Sequence, residues 1–144
     1  MSFKNLLCLS LALIALPAGA ETKRIGIIKA DDVSGIHSKW ERFFKLAEEL
    51  DVPVTAGVIA NSVDKHGEDY HKWLKKWDAT GKVEFWNHGW DHRRWQKQGA
   101  YRSEFSGTGH DHQKNHISKV QAAGEKDFAK RFITFGSPVN DMDG

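Results

Sequence analysis

Two pairs of side chains in this sequence could hold a metal ion. Asp31 and Asp32 are adjacent, and His88 and His92 are four residues apart. Two neighbouring carboxylates repel each other, so a nearby cation would be needed to keep both ionised. Two histidines at this spacing on one helical turn can reach the same ion. One carboxylate and two imidazoles leave open positions for water and substrate, which is typical of a catalytic divalent site.

Each pair also has an ordinary structural interpretation. Adjacent aspartates are common in loops and helix caps, and the two histidines could be solvated loop residues. Sulfur ligands are excluded, because the only cysteine, Cys8, lies in a predicted leader. Nitrogen and oxygen donors fit a hard or borderline divalent ion, and zinc is the ion that we expect.

The elements that must position these residues alternate between strand and helix. The apolar segment 24–30 predicts a buried strand, and Ser38 with Glu41 forms a capping box that predicts a helix start. Apolar residues at helical spacing follow from Trp40 to Leu50. The remaining predicted elements are a strand at 54–59, a helix with an apolar stripe at 70–77, a strand at 83–86, a helix at 111–128 and a strand at 132–135.

This alternation predicts βαβ units and a parallel sheet. Right-handed crossovers place the carboxyl ends of all strands on one face, which carries the site in barrels and open sheets alike. Asp31 and Asp32 follow the first strand, and segments 87–92 and 136–140 follow the third and fourth. We therefore expect the two pairs to lie together. The long polar segment 93–109 is predicted to be a functional loop or a partly disordered one.

The first twenty residues predict a signal peptide. Lys4 provides the positive start, residues 6–16 form a short apolar core, and Ala18-Gly19-Ala20 gives a cleavage site. We therefore expect an exported protein, periplasmic or extracellular, with one domain over residues 21–144. No later stretch is long and apolar enough to be a membrane anchor. The net charge of +2, with acidic and basic residues interspersed, argues against a nucleic-acid partner.

The motifs resemble those of the NodB-homology polysaccharide deacetylases, carbohydrate esterase family four. The first family motif ends in two aspartates after a strand, and the segment Lys29-Ala30-Asp31-Asp32-Val33 is similar. The second motif has two histidines spaced as in His88-Gly89-Trp90-Asp91-His92. Phe135-Gly136-Ser137-Pro138 resembles the third motif, and Glu104-Phe105-Ser106-Gly107 is reminiscent of a divergent branch of the superfamily.

The resemblance implies a metal-dependent hydrolase that removes N- or O-linked acetyl groups from an acetylated carbohydrate. Asp31 would be the catalytic base, and Asp32, His88 and His92 would be the metal ligands. The implied fold is a (β/α) barrel of the polysaccharide-deacetylase type, of which this chain would hold about the first four βα units. The family's later motifs, with an acetyl pocket and a histidine acid, have no counterpart in the sequence.

Three departures from the family pattern keep other functions open. Val33 stands where the family has glycine, Gly89 replaces a serine or threonine that braces the loop, and no arginine accompanies Pro138 to orient the base. A sugar- or metal-binding protein without catalysis is therefore an alternative. Another is a related metal-dependent amidase that acts on a small molecule.

Several further residues are secondary candidates. Asp91 could hydrogen-bond a ligating histidine, while Trp90 and Pro138 could contact substrate. Trp86 and Trp95 could line a sugar groove or pack in the core. A second cluster could bind another metal, bring a histidine to the first site, or simply form the first turn of a helix; its members are His110, Asp111, His112 and His116.

Overall fold

A computed structural model describes residues 25–143 of the chain. The predicted signal peptide, residues 1–20, lies outside the described residues. No helix within them is both long and apolar enough to cross a membrane. The elements are β1 (Lys29–Val33), α1 (Ser38–Glu49), β2 (Val54–Val58), α2 (Asn61–Ala79), β3 (Val83–Asn87), β4 (Arg94–Lys97), β5 (Ala100–Ser103), α3 (His110–Phe128) and a 3-10 turn (Pro138–Asn140).

Three parallel strands form the main sheet, in the order β1-β2-β3. Each strand therefore lies beside the next one along the chain, with a helix in the crossover. A single parallel bridge continues the sheet from Asn87 at the end of β3 to Phe135. The α/β class and the parallel sheet predicted from the alternation are confirmed.

The first strand begins later than the sequence predicted. Lys29 pairs with Thr55, one residue after the start of β2. Residues before Ile28 therefore extend past their partner strand and have no ladder to join, and the side chains of Ile25 and Ile27 are exposed. The prediction of a buried strand over 24–30 was wrong for this part of the segment.

The predicted fourth strand, 132–135, is reduced to the bridge at Phe135. The side-chain amide of Gln121 accepts from the backbone N–H of Phe132 at 3.0 Å and donates to its carbonyl at 2.9 Å. Because these backbone groups are already satisfied by α3, Phe132 cannot extend the ladder. Ile133 lies outside the strands, and its side chain is 92% exposed.

Helix α1 begins at Ser38, but the predicted capping box does not form. His37 occupies the N-cap position, and no side chain there makes a capping hydrogen bond. The carboxylate of Glu41 instead accepts from the indole N–H of Trp73 at 2.5 Å, which ties α1 to α2. Tertiary packing between the two helices therefore outweighs the local cap.

The core lies between the sheet and the aromatic faces of the helices. Phe44 of α1 is fully buried, and its ring contacts Trp73 and Trp77 of α2 and Phe85 of β3 at centroid distances of 5.5 to 5.9 Å. The helical tryptophans are thus packing residues. Burial of such rings against each other stabilises this region.

The segment predicted as a long loop contains a β-hairpin. Strands β4 and β5 pair antiparallel, with Lys97 opposite Ala100. The two residues between them, Gln98 and Gly99, have φ of 52° and 79°. Positive φ at both positions is the two-residue turn that matches the twist of a hairpin.

Candidate metal centre

A bulge at the end of β1 turns both aspartates toward one pocket. Between Ala30 and Val33, β1 contains one residue more than the paired stretch of β2. In a regular strand Asp31 and Asp32 would face opposite sides of the sheet. The extra residue, with Asp32 at φ of 70°, allows both to line the same pocket.

His88 follows β3, and a hydrogen bond at Nδ1 fixes the orientation of its ring. The residue is only 2% exposed. Its Nδ1–H donates to the carbonyl oxygen of Gly136 at 2.8 Å, and because a carbonyl can only accept, the proton must be on Nδ1. In the neutral ring Nε2 therefore carries a lone pair, and this nitrogen lies 3.1 Å from Oδ1 of Asp32.

His92 reaches the same carboxylate oxygen from the loop after β3. Its Nε2 lies 3.0 Å from Oδ1 of Asp32. The donor atoms of Asp32, His88 and His92 all lie within 4.8 Å of one another. The structure thus brings together the three residues that were predicted to be metal ligands.

This donor set fits a divalent cation. With neutral His88, the Nε2 lone pair faces a carboxylate oxygen of Asp32, which is unfavourable unless a cation lies near both or the ring is protonated. Nitrogen and oxygen ligands of tetrahedral zinc stand roughly 3.3 Å apart, close to the 3.0 and 3.1 Å separations at this oxygen. The Gly136 carbonyl also supplies the second hydrogen-bond partner that metal-bound histidines usually have.

Asp31 lies beside these residues and forms an ion pair. Nζ of Lys29 is 2.8 Å from Oδ1 and 3.0 Å from Oδ2 of Asp31. The same ammonium group lies 4.7 Å from the centre of the Trp86 ring. The predicted base is therefore oriented by a cation from its own strand.

The two aspartates and two histidines share one pocket of about 230 Å³. Its lining residues are Asp31, Asp32, His88, His92, Arg94, Val139 and Asn140. Residues from β1, the loop after β3, the hairpin and the 3-10 turn therefore meet at one point. The carboxyl ends of the strands face this pocket, as the predicted topology required.

Backbone strain is concentrated at the same pocket. Among residues 25–143, seven non-glycine residues have positive φ, and four of them line the pocket: Asp32, His92, Val139 and Asn140. Val139, at φ of 67°, is β-branched, for which this conformation is especially rare. Such residues cost on the order of 1–3 kcal/mol each and cluster at functional sites.

Trp86 supports the site from the interior. It is 1% exposed, and its ring meets that of His88 edge to face at 5.2 Å. A Cβ at Gly57 or at Gly136 would lie 2.6 Å from carbons of this ring, so glycine at both positions makes room for it. Of the two readings of Trp86, sugar groove or core, the structure favours the core.

The three secondary candidates lie around the pocket but do not line it. Trp90 is partly buried and packs against the hydrophobic core. The carboxylate of Asp91 accepts from the backbone N–H of Arg93 at 3.1 Å. Pro138 is buried, and its Cγ lies 2.5 Å from the position that a Cβ at Gly89 would take. Their roles in metal or substrate binding stay predictions.

The second histidine cluster divides between solvent and interior. His110 and Asp111 are exposed in the first turn of α3, whereas His116 is buried. His112 stacks on His116 at a centroid distance of 4.1 Å. Burial, together with the nearby His116, lowers the pKa of His112. None of these residues lines the pocket.

Sequence reasoning missed four residues near the site: Lys29, Arg94, Glu104 and Asn140. Lys29 could have been found, since side chains two apart in a strand share a face. Arg94 required recognition of the hairpin. Glu104 is 0% exposed and hydrogen-bonds the loop that holds His92, a contact between segments that no local pattern indicates.

Comparison with known proteins gives one family and one fold. A family model described as polysaccharide deacetylase matches residues 18–143. Similar solved structures include a CE4-family pseudoenzyme from Bacillus anthracis (TM-score 0.63, 14% identity), the CE4 domain of a multidomain xylanase from the hindgut metagenome of Trinervitermes trinervoides (0.65, 14%) and IcaB from Ammonifex degensii (0.61, 18%). No curated protein matches the sequence.

These similarities cover most of this chain but only part of the others. The matches span 81%, 82% and 78% of this chain, and 36%, 50% and 49% of the respective structures. The chain therefore corresponds to half or less of each of these proteins. At such low identity the likeness shows the fold alone.

Proposed function

Because the chain belongs to the polysaccharide deacetylase family, we propose that it carries a zinc-dependent centre that removes N- or O-linked acetyl groups from a carbohydrate. The observation that carries this proposal is the convergence of two imidazoles on one oxygen of Asp32, next to Asp31. We further propose that the sheet is the first part of a (β/α) barrel, since each strand neighbours the next along the chain. We also propose that this activity lies outside the cytoplasm, because residues 1–20 have the sequence features of a signal peptide.

The residues of the pocket can each contribute to acetyl transfer to water. Zinc, held by Asp32, His88 and His92, would supply a Lewis acid for the acetyl carbonyl. Asp31 shares the pocket and takes a proton from the attacking water. Lys29 keeps the Asp31 carboxylate in place. The acetyl group leaves as acetate, and the proton taken up by Asp31 passes to the departing nitrogen or oxygen, so the sugar keeps a free amine or hydroxyl.

Metal content of the purified protein tests the ligand set. Wild-type protein should hold one zinc ion per chain, and Asp32→Ala should lose most of it. Asp111→Ala, which removes an exposed carboxylate that does not line the pocket, is the matched control and should retain zinc. Equal and negligible metal in wild type and Asp32→Ala would refute the proposal. Acetate release from acetylated chito-oligosaccharide then tests the reaction itself.

A second candidate function is carbohydrate binding without catalysis. Two observations favour it: one structure of similar fold is described as a pseudoenzyme, and the Asp31 carboxylate is already paired with Lys29. Under this alternative, acetylated chito-oligosaccharide binds to the metal-loaded protein but no acetate appears. Release of acetate that depends on Asp31 excludes it.

A further inference from the structure

The carboxylate of Glu104 is buried beneath the loop that carries His92. Glu104 directly follows β5 and is 0% exposed. Oε1 accepts from the backbone N–H of Trp90, and Oε2 accepts from those of Asp91 and His92, at distances between 2.5 and 3.1 Å. Three successive amides of the loop therefore converge on one side chain.

The fourth hydrogen bond to this carboxylate comes from helix α3. Nδ1–H of His116 donates to Oε1 of Glu104 at 3.0 Å. A carboxylate offers about four lone-pair positions, and all four are now used. Asp91, Glu104 and His116 lie close enough to hold an ion, but Glu104 has no lone pair left for one. The group is therefore a hydrogen-bonded brace and not a second metal site.

The conformation of the loop depends on this anion. Gly89 and His92 at the two ends of the loop have φ of 80° and 53°. Consecutive N–H groups that point into one concavity form an anion-binding nest. Without an acceptor, three amides would be left unpaired in the interior, which is strongly unfavourable.

The same geometry accounts for glycine at position 89. A Cβ there would lie 2.7 Å from Oε2 of Glu104 and 2.5 Å from Cγ of Pro138. A serine or threonine at this position, as in the family motif, is therefore incompatible with the buried carboxylate. In this chain the brace is provided by Glu104, the residue after β5, instead of by the loop itself.

We propose that Glu104 is a positioning residue of the metal centre, which fixes the 90–92 loop so that the imidazole of His92 reaches Asp32. His92 connects the Glu104 carboxylate to the proposed metal centre: its backbone N–H lies 2.7 Å from Glu104, and its Nε2 lies 3.0 Å from Asp32. The inference rests on the proposed metal centre. It adds a residue that binds neither metal nor substrate.

Zinc affinity of the folded protein tests this role. Glu104→Gln keeps the shape of the side chain, but its NH₂ group cannot accept, so at least one loop amide loses its partner. We expect a 10- to 100-fold weaker zinc affinity, the usual effect of outer-shell partners. The matched control is Asp127→Asn, which alters another buried carboxylate, one that lies near His71. Its zinc affinity should stay within about twofold of wild type.

Two measurements distinguish a positioning role of Glu104 from a general contribution to the stability of the fold. Chelator competition measures affinity, and circular dichroism verifies that each variant is folded. Wild-type affinity in folded Glu104→Gln overturns the proposal, as does a second bound zinc that this variant loses. Absence of zinc binding in the wild type would instead defeat the metal centre itself.

A measurement on the wild-type protein covers the case in which Glu104→Gln does not fold. Amide hydrogen exchange of Trp90, Asp91 and His92 should be strongly protected in the metal-free protein, because each N–H is bonded to a buried carboxylate. Fast exchange at these three amides would show that the brace is absent.

Discussion

The pocket combines two carboxylates with different partners. Oδ1 of Asp32 faces two imidazole nitrogens, whereas Asp31 faces the ammonium group of Lys29. The two aspartates are chemically identical, but their different surroundings suit the two roles proposed for them, metal ligand for Asp32 and catalytic base for Asp31. The β1 bulge makes this possible, since it allows both to reach one pocket.

Asp31→Asn should separate the two roles. The amide cannot take a proton, so the rate of acetate release should fall by roughly 10²–10⁴. Zinc content should remain that of the wild type, because the imidazoles face Asp32. Parallel metal analysis and acetate assays on Asp31→Asn and Asp32→Asn measure this. Loss of zinc in the first variant but not in the second would reverse the assignments.

Lys29 is predicted to act through Asp31. Lys29→Met keeps most of the side-chain length and removes the charge, so Asp31 loses the contact that orients it. We expect kcat to fall roughly 10- to 100-fold, as for a misplaced catalytic group, with little change in KM or zinc content. Lys29→Arg should restore most of the rate. A fall confined to KM would point to substrate binding by Lys29.

The sequence indicated some of these residues and not others. Asp32, His88 and His92 are recognisable because the pairs follow strands and match known motifs. Lys29 does not match the family motif, although its spacing to Asp31 places both on one face of β1. Glu104 is far from the loop in sequence, and only the folded chain shows that its carboxylate lies there.

At the scale of elements, the packing of Trp86 connects β2, β3 and the segment after Phe132. Gly57 of β2 and Gly136 leave the space that the indole ring fills, beneath His88. These glycines carry no turn and no positive φ, so local sequence patterns do not explain them. The fold does: strands that converge toward an interior large side chain require small residues opposite it.

Gly57→Ala should destabilise the protein. The new Cβ would lie 2.6 Å from the Trp86 ring and 2.9 Å from Cβ of His88, so both must shift. Overpacking of this kind costs about 1–3 kcal/mol, which lowers Tm by roughly 5–15 °C for a domain of this size. Thermal unfolding of the metal-free protein measures it. Gly26→Ala is the control, since nothing lies within 4 Å of its Cβ, and equal Tm values would contradict the prediction.

Other elements show where periodicity fails. The hairpin of β4 and β5 was predicted as a loop because its strands are short and carry many charges. The residue pair Gln98-Gly99, which forms the turn, is the sequence feature that could have indicated a hairpin. The segment at Phe132 reads as a strand, but the amide of Gln121 takes its backbone groups. Local pattern cannot foresee a competing side chain that is eleven residues away.

For the molecule as a whole, alternation of strand and helix was enough to predict the parallel sheet and the face on which the candidate residues meet. The motifs predicted the family, which the family model confirms. This chain spans 36% to 50% of the length of the three structures of similar fold named above. What holds this part together is its aromatic core around Phe44 and Tyr70.

Because of Tyr70, the free energy of unfolding should decrease as the pH rises above about 10. Tyr70 is 1% exposed, and burial raises the pKa of its hydroxyl from 10.0 to about 12. The folded state therefore keeps the proton where the unfolded state loses it, so stability is fully present below pH 10 and declines between about pH 10 and 12. The loss of stability from this one group over that range is on the order of 3 kcal/mol.

Tyr70→Phe should remove this dependence. Near neutral pH the variant should differ little from the wild type, since the hydroxyl only accepts a long bond of 3.4 Å from Ser62. Above pH 10 the wild type should lose stability relative to the variant by about 1.4 kcal/mol per pH unit, so Tyr70→Phe becomes the more stable protein. Urea unfolding of the metal-free protein across this range measures the difference. Tyr101, the other tyrosine, is 52% exposed, and Tyr101→Phe should follow the wild-type curve. Parallel curves for wild type and Tyr70→Phe up to pH 12 would show that the Tyr70 hydroxyl is not buried in the folded protein.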